Sequence, residues 1–243
     1  MSPPRFYLDQ ILAPGARLML PPGPARHAAR ALRLAPGDAL TLFNGRGGEY
    51  PALIERIQKE DVAVRVTGFA DIERESRLRV LLAQGISSGE RMDYTLQKAV
   101  ELGVAAIQPI AAKRSVVKLS GERADRRVAH WQGVVNSACE QCGRNTTPTV
   151  APPLSLADWL GRRPAGRVLF LSPLADRRLA DLPPASAQEV LLAGPEGGFE
   201  PDEIAALHAF DALPVRLGPR VLRTETAGVA ALAVLQSLAG DLR

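Results

Sequence analysis

The sequence predicts an α/β protein in which a small β-barrel precedes a larger domain built on a parallel sheet. Between residues 40 and 66, short runs of β-forming residues follow one another at even spacing, and Asn44-Gly45 is a strong hairpin signal. From residue 79 onward, apolar runs alternate with helical patterns, which favours a parallel sheet covered on both faces. A content of 46% hydrophobic and 23% charged residues is typical of a globular protein.

The N-terminal region, up to about residue 71, is predicted to be a barrel with one short helix. Its strands are expected over residues 40–43, 50–57 and 62–66. Its helix is expected over residues 25–34. Ala28, Ala31 and Leu32 of the helix are expected to face inward. Small barrels of this kind often bind RNA, although a fold alone does not establish a function. A charged stretch then predicts a boundary, with one domain over residues 1–71 and another over residues 72–243.

The C-terminal half is predicted to alternate strands with helices. The strands are expected over residues 79–84, 105–111, 168–171, 189–193 and 214–217. The helices are expected over residues 90–102, 124–142, 156–160, 202–210 and 226–238. One face of the last helix is predicted to carry Ala227, Ala230, Ala231, Val234, Leu235 and Leu238. Ligands bind beyond the carboxyl ends of the strands in such a sheet, so we expect the chemistry in this half.

Charge and composition narrow the class of protein. The 243-residue chain has a net charge of +4, and most of its basic residues are Arg. This composition favours a polyanionic partner such as a nucleic acid. The alternative is that these arginines only form an ordinary solvated surface. Its longest apolar run, residues 227–235, is far shorter than the ~20 residues of a membrane span, and no secretory signal is visible. With only Cys139 and Cys142 there is no disulfide framework, so we expect a cytoplasmic location.

Residues 194–199 (GPEGGF), which we call the glycine loop, follow an apolar strand and precede a helix. The glycines allow the backbone to approach a ligand closely. The helix begins with an acidic first turn, Asp202 and Glu203, and this argues against a phosphate site of the Rossmann or P-loop type, whose motifs are also absent. A neutral or cationic ligand suits this loop better, and a plain glycine turn is the alternative.

Residues 217–227 (LGPRVLRTETA), which we call the arginine segment, join a strand to the last helix. Arg220 and Arg223 lie between two buried elements, where an unpaired charge destabilises the fold. They must therefore meet carboxylates, solvent or an anionic ligand. An ion pair with Glu225 or Glu196 is the structural alternative.

Residues 139–145 (CEQCGRN) end a helix, with Gly143 as a natural cap. Two thiols at this spacing resemble half of a zinc site, but the sequence has no second pair, and a redox motif belongs at the N-terminus of a helix. We therefore expect buried packing for both cysteines and no metal site. Arg144 and Asn145 lie just beyond the cap, where they can reach a ligand.

Four segments together resemble one known family. The glycine loop, the arginine segment, residues 138–145 (ACEQCGRN) and residues 97–104 (QKAVELGV) resemble the bacterial 16S ribosomal RNA (uracil-N3)-methyltransferases of the SPOUT, or α/β-knot, superfamily. The resemblance covers essentially the whole chain. It implies a PUA-like β-barrel, a methyltransferase domain with a C-terminal trefoil knot, which no pattern predicts, and a homodimer.

The resemblance also implies S-adenosyl-L-methionine as the methyl donor and a uridine of 16S rRNA, within the small ribosomal subunit, as the acceptor. In this superfamily three loops hold the donor. The donor-binding residues that it implies here are Leu171, Gly194, Gly197, Gly198, Leu217, Gly218, Leu222, Thr224, Thr226 and Ala227. The sulfonium cation of the donor agrees with an acidic glycine loop.

Methylation at N3 requires loss of the imide proton, after which negative charge spreads over O2 and O4 of the uracil. Fixed cations stabilise such charge best in a site that holds little water. Arg223 is the first candidate, followed by Arg220 and Arg144. Glu196 or Glu225 is available as a general base, although each can instead orient an arginine.

Contacts with the RNA are expected from basic residues that position the phosphates. The predicted residues are Arg5, Arg26, Arg30 and Arg33 on the small domain, and Lys113, Arg114, Lys118, Arg144 and Asn145 elsewhere. The uracil itself must be unpaired or flipped out, because its N3 is otherwise engaged in base pairing.

Two other functions stay open at this point. One is a different SPOUT RNA methyltransferase, which acts on tRNA or on a ribose 2′-hydroxyl, and the other is a non-catalytic RNA-binding assembly factor. Analysis of the modified nucleosides distinguishes the first, and a test of donor binding distinguishes the second. A nicotinamide oxidoreductase is disfavoured because the Gly-x-Gly-x-x-Gly motif is missing.

Overall fold

The structure is a computed structural model that describes residues 3–117, 119–183 and 188–242; Lys118, predicted to contact RNA, lies outside them. The chain divides into two compact units. The first comprises Met1–Glu75 and Asn136–Thr147, and the second comprises Ser76–Val135 and Pro148–Arg243. The sequence places a single boundary after residue 71, so it does not assign residues 136–147 to the first unit.

The first unit contains a five-stranded mixed sheet. Its strands are β1 (Arg5–Tyr7), β2 (Arg17–Met19), β3 (Ala39–Phe43), β4 (Tyr50–Gln58) and β5 (Asp61–Val66). They lie in the order β1-β3-β4-β5-β2, in which only β1 and β3 run parallel. The alternation of buried Val62, Val64 and Val66 with more exposed residues places one face of β5 on a core. The three predicted strands are confirmed, and β1 and β2 are additional.

The short helix of this unit differs from its prediction. Helix α1 (Pro22–Arg26) continues as a π-helical turn at His27–Ala31. Ala28 is buried as predicted, but Ala31 and Leu32 are exposed, so the prediction that they face inward is wrong. The wider repeat of a π-turn rotates the residues that follow, which a 3.6-residue pattern does not anticipate.

The second unit is built on a seven-stranded sheet whose paired neighbours are all parallel. Its strands are β6 (Arg79–Gly85), β7 (Ala106–Ala111), β8 (Thr149–Val150), β9 (Leu154–Ser155), β10 (Arg167–Leu171), β11 (Gln188–Ala193) and β12 (Leu213–Val215). The order is β12-β10-β11-β6-β7-β8, and β9 also pairs with β7. The five predicted strands are confirmed, although the last one ends at Val215.

Five helices were predicted for the C-terminal half, and all five form. They are α2 (Gly89–Glu101), α3 (Gly121–Cys142), α4 (Leu156–Gly161), α5 (Pro201–Ala209) and α6 (Thr224–Ala239), with a 3-10 turn at Leu179–Asp181. Helix α5 begins as expected for its sequence, because Pro201 occupies its first turn and Glu200 and Glu203 form a capping box. Among the helices of the described residues, none is long and apolar enough to cross a bilayer.

Helix α6 buries Ala231 and Leu235 as predicted, but the rest of its buried stripe differs from the predicted one. Its buried residues are Thr224, Gly228, Ala231, Leu232, Leu235 and Gln236. Leu238, predicted to lie on the buried face, is 49% exposed, whereas Gln236 is fully buried and accepts a hydrogen bond from Ser76 Oγ at 2.6 Å. A stripe that contains polar residues is not visible to an apolar pattern, which explains the error.

The topology brings three chain segments to one edge of the sheet. Strands β6, β11 and β10 are neighbours and β12 borders β10, so the segments that follow these parallel strands leave from the same edge. The three segments are residues 172–174 after β10, the glycine loop after β11 and the arginine segment after β12. The trefoil knot that the resemblance implies stays a prediction.

The close approach of β6 to the glycine loop can be tested at Gly85. A Cβ atom at Gly85 would overlap the backbone nitrogen of Pro195. We therefore expect Gly85→Ala to lower the free energy of unfolding by about 1–3 kcal/mol, because the backbone of the loop must move. Gly133 of α3 has open space around its Cα, so Gly133→Ala is the control and should stabilise by about 0.5–1 kcal/mol. Urea midpoints measure both, and equal midpoints would contradict the prediction.

Candidate functional site

A cavity of about 730 Å³ lies beyond the carboxyl ends of β10, β11 and β12. Its volume is in the range of small-molecule sites. Residues 170–174, at the end of β10 and just beyond it, line it together with the glycine loop and most of residues 215–227, and Arg91, Arg114 and Ile204 complete it. This is the place where ligands bind in open parallel sheets.

The cavity brings together most of the predicted site residues. The predicted donor-binding residues that line it are Leu171, Gly194, Gly197, Gly198, Leu217, Gly218, Leu222, Thr224 and Ala227. Thr226 is exposed and does not line it. The predicted catalytic residues Glu196, Arg220 and Arg223 also line it. The structure thus places these residues around one space, and their individual roles stay predictions.

Two hydrogen bonds join β6, the glycine loop and α6 beside the cavity. Gln84 Nε2, near the end of β6, donates to Thr224 Oγ1 at 3.1 Å, and Thr224 Oγ1 donates to the carbonyl oxygen of Gly194 at 2.6 Å. Gln84 is completely buried and Thr224 is 7% exposed. The start of α6 is therefore held against the glycine loop. Sequence reasoning missed Gln84, although a polar residue within an apolar strand is a signal that could have found it.

Glu196 of the glycine loop is bound by the start of α2. Its Oε1 accepts hydrogen bonds from Ser88 N at 3.1 Å, from Ser88 Oγ at 3.3 Å and from Arg91 Nη1 at 3.1 Å. Burial raises the pKa of Glu196, but the hydrogen bonds from backbone N–H groups, Ser88 and Arg91 outweigh it, so the pKa lies below 4.5. An ionised carboxylate with one oxygen committed in this way is better suited to orient its neighbours than to accept a proton.

Arg91 lies between two carboxylates of the site. Its Nη1 contacts Glu196, and its Nε is 4.0 Å from Glu225 Oε1. One guanidinium therefore lies between the glycine loop and the start of α6. Sequence reasoning missed Arg91. Its position shortly after the central strand β6 is the signal that could have found it, because residues at that edge face the ligand site.

Arg220 and Arg223 differ from Arg91 and Arg114, the two arginines of the cavity that pair with carboxylates. Arg220 and Arg223 are exposed and line the cavity, and within the part of the chain that the structure describes neither side chain makes an ion pair or a hydrogen bond. The alternative of pairing with Glu196 or Glu225 is not what the structure contains, since both carboxylates face Arg91. Two cations are thus left to meet an anionic ligand.

Arg114, predicted to contact RNA, is engaged at the cavity. Its Nε and Nη2 donate to Glu200 at 2.8 and 3.2 Å, and its Nη1 donates to the carbonyl oxygen of Gly197 at 3.2 Å. The neighbouring Lys113 pairs with Asp202. The acidic start of α5 therefore neutralises both cations and weakens this predicted basic face.

In the first unit, three of the predicted RNA-binding arginines are exposed. They are Arg26, Arg30 and Arg33. Arg30 pairs with Glu60 at 2.5 Å. Since both partners are largely solvated, this pair holds Arg30 only weakly, and all three arginines remain accessible.

Arg144 and Asn145 are buried rather than exposed beyond the helix cap. Arg144 is 4% exposed and forms a two-pronged ion pair with Glu75, at 2.9 and 2.5 Å. Asn145 is completely buried, donates to the carbonyl oxygen of Ile72 at 2.6 Å and accepts from Arg5 at 2.5 Å. These contacts give Arg5, Arg144 and Asn145 a structural role in the first unit, and contact with RNA stays a prediction for them.

Cys139 is buried, as expected, whereas Cys142 is only half-buried. Both are free, and burial raises the pKa of the Cys139 thiol to about 12, so that it is protonated at neutral pH and is not nucleophilic. The described residues contain no cluster of three or more His, Cys, Asp or Glu side chains that could hold a metal ion.

Two family models match the chain. An RNA methyltransferase domain matches residues 74–236, and an RNA methyltransferase PUA domain matches residues 25–67. The chain is similar to ribosomal RNA small subunit methyltransferase E of Buchnera aphidicola subsp. Schizaphis graminum, with 32% identity over 98% of both chains. It is also similar to the protein of that name from Mycobacterium tuberculosis, with 34% identity over 93% of this chain and 88% of that one.

Two solved structures resemble the whole chain. One is a ribosomal RNA small subunit methyltransferase E from Neisseria gonorrhoeae bound to S-adenosyl methionine, with 40% identity and a TM-score of 0.92. The other is a Legionella pneumophila protein in complex with bound SAM, with 41% identity and a TM-score of 0.96. Each covers 100% of both chains.

The lowered pKa of Glu196 predicts a pH-dependent contribution to stability. Because the folded-state pKa lies below 4.5, the carboxylate stabilises the fold above pH 4.5, and this contribution is lost as the pH falls through the folded-state value. We expect Glu196→Gln to be less stable at pH 7 by about 1 kcal/mol and to equal the wild type at a pH well below 4.5.

Chemical denaturation at the two pH values measures this difference. The matched control is Glu122→Gln, at a carboxylate that is 91% exposed on α3, which should change stability little at either pH. A stability deficit of Glu196→Gln that is the same at both pH values would show that the charge of Glu196 does not stabilise the fold.

Proposed function

This chain belongs to the ribosomal RNA small subunit methyltransferase E family, and from that premise we propose that it transfers a methyl group from S-adenosyl-L-methionine to N3 of a uridine in 16S ribosomal RNA. The observation that carries the proposal is the cavity in which the glycine loop and the unpaired Arg220 and Arg223 meet. It offers both a site for a small molecule and cations for an anionic acceptor.

The residues of the cavity fit the donor. Its volume of about 730 Å³ suits a ligand of this size, and Glu196 places a carboxylate where a sulfonium or ammonium cation is stabilised. We assign donor binding to the nine predicted residues that line the cavity. When bound, the donor supplies a methyl carbon on a sulfonium, and the sulfur keeps the electron pair of the C–S bond as the methyl group leaves.

Arg223 and Arg220 then act on the acceptor. Removal of the N3 proton leaves negative charge on O2 and O4 of the uracil, and both guanidinium groups are free to donate hydrogen bonds to these oxygens. Groups that are already positioned stabilise developing charge without reorganisation, which contributes several kcal/mol in many enzymes. We assign Arg223 the larger share, because it immediately precedes Thr224, which is tied to the glycine loop.

For RNA binding we propose the exposed Arg26, Arg30 and Arg33 of the first unit, which form the accessible part of the predicted basic face. We further propose a PUA-like domain over residues 1–71, a knotted catalytic domain over residues 72–243, a homodimer and a cytoplasmic location. These proposals are supported by the resemblance of the sequence to its family, and the RNA substrate is supported by the names of the relatives.

The experiment that tests the function is a methyl-transfer assay on small ribosomal subunits and on free 16S rRNA, followed by mass spectrometry of the nucleosides. We expect N3-methyluridine. A ribose 2′-O-methyl product, or methylation of tRNA alone, would support the other SPOUT reaction. Absence of donor binding in calorimetry would support the non-catalytic assembly factor.

Arg223→Ala tests the assignment of the cation. We expect kcat for RNA to fall by about 10²–10³-fold, because a donor to the developing oxyanion is lost, while the Kd for S-adenosyl-L-methionine is unchanged. Arg126→Ala, at a 77% exposed arginine of α3, is the control and should behave like the wild type. Single-turnover kinetics and calorimetry measure the two quantities. Full turnover by Arg223→Ala would remove Arg223 from the mechanism.

A further inference from the structure

Glu225, the second residue of α6, has one carboxylate oxygen without a partner. Oε2 is buried, and within the described part of the chain no group donates a hydrogen bond to it. The side chain is 19% exposed and lines the cavity. A buried acceptor that lacks a donor destabilises the protein unless something that enters the site supplies one.

Glu225 and Glu196 differ in the number of hydrogen bonds that their carboxylates accept. Glu196 Oε1 accepts three hydrogen bonds from Ser88 and Arg91. Among the described residues, Glu225 has only a long ion pair, in which Oε1 is 4.0 Å from Arg91 Nε, and no hydrogen bond. Both oxygens of Glu225 therefore keep acceptor capacity that a ligand can use, whereas one oxygen of Glu196 is already engaged by three donors.

The charges around Glu225 complement the imide edge of uracil. That edge presents an acceptor, a donor and an acceptor, namely O2, N3–H and O4. A site complementary to this edge has one hydrogen-bond acceptor between cationic donors. Glu225 meets this description, because it lies two residues after the unpaired Arg223 and faces Arg91. The charged side chains that line the same cavity are Arg91 of α2, Arg114, Glu196 of the glycine loop, and Arg216, Arg220 and Arg223 before α6.

We propose that Glu225 is the general base, which accepts the hydrogen bond from uracil N3–H and then takes its proton. In this step the N–H bond breaks, its electron pair stays on N3, and the proton is transferred to Oε2, which leaves Glu225 as a neutral carboxylic acid. The proton passes to water after the methyl group has been transferred. The proposal rests on the proposed function, because it requires uracil N3 as the acceptor atom.

Glu225→Gln tests this proposal, because it keeps the shape of the side chain and removes its basicity. We expect kcat to fall by about 10²–10⁴-fold near neutral pH. The remaining rate should rise about tenfold per pH unit where the wild type has levelled off, because hydroxide must then remove the proton. Calorimetry should give the wild-type Kd for S-adenosyl-L-methionine, since Glu225 is assigned to the acceptor and not to the donor.

Two further variants serve as controls. Glu196→Gln removes the other carboxylate that contacts Arg91, and its pH profile should keep the wild-type shape. If thermal unfolding shows that Glu225→Gln is not folded, Glu225→Asp takes its place. Because it keeps a carboxylate, it should be slower than the wild type and keep the wild-type pH profile, and a profile that rises with pH would then contradict the proposal.

A wild-type pH profile for folded Glu225→Gln would overturn the proposal. A weakened Kd for the donor together with an unchanged kcat would also overturn it, and would assign Glu225 to donor binding. Both results leave the proposed function intact as long as the wild type yields N3-methyluridine. A different nucleoside product from the wild type would instead refute the proposed function and this inference with it.

Discussion

The hydrogen bond from Thr224 Oγ1 to the carbonyl oxygen of Gly194 joins the two chain segments on which the rest of the site depends. Gln84, buried in the central strand, donates to the same hydroxyl and so directs its proton toward Gly194. The first turn of α6 therefore has one position relative to the glycine loop. Arg223 and Glu225 flank Thr224 in the chain, so their placement follows from this small buried network.

Some charged side chains of the cavity stabilise the fold, and others remain available to a ligand. Arg91 is paired with Glu196 of the glycine loop. Arg114 is paired with Glu200 and also donates to the carbonyl oxygen of Gly197, so two arginines hold the loop. Arg220 and Arg223 have no such partners among the described residues. The pairing matters because a cation that is already bound to a carboxylate gains little from a second anion, whereas an unpaired one gains more.

Much of the fold was predictable because apolar periodicity reports burial directly. The strands at Arg79–Gly85 and Gln188–Ala193 and the five helices of the C-terminal half follow from that signal alone. The errors have physical causes: the π-turn at His27–Ala31 changes the helical repeat, and α6 buries Gln236 through a hydrogen bond with Ser76. The pattern of apolar residues contains neither effect.

The site residues were predictable where the family motifs fall at the carboxyl ends of the parallel strands, where ligands bind. They were less predictable where the position of a side chain depends on an ion pair with a residue distant in the sequence. The glycine loop and Arg223 line the cavity as expected, whereas Arg144 lies buried against Glu75. Which carboxylate an arginine meets depends on residues far away in the chain, such as Glu75, which is 69 positions from Arg144. No local motif carries that information.

The close packing around Gly85 has a consequence for how such a protein can diverge. Gly194 and Pro195, which line the cavity, pack there directly against the main chain of β6, and an added methyl group at Gly85 would overlap Pro195. A ligand site shaped by backbone atoms retains its contour when the side chains around it drift, provided that a few glycines persist. Such a site tolerates wide variation in its side chains but requires glycine at a few individual positions.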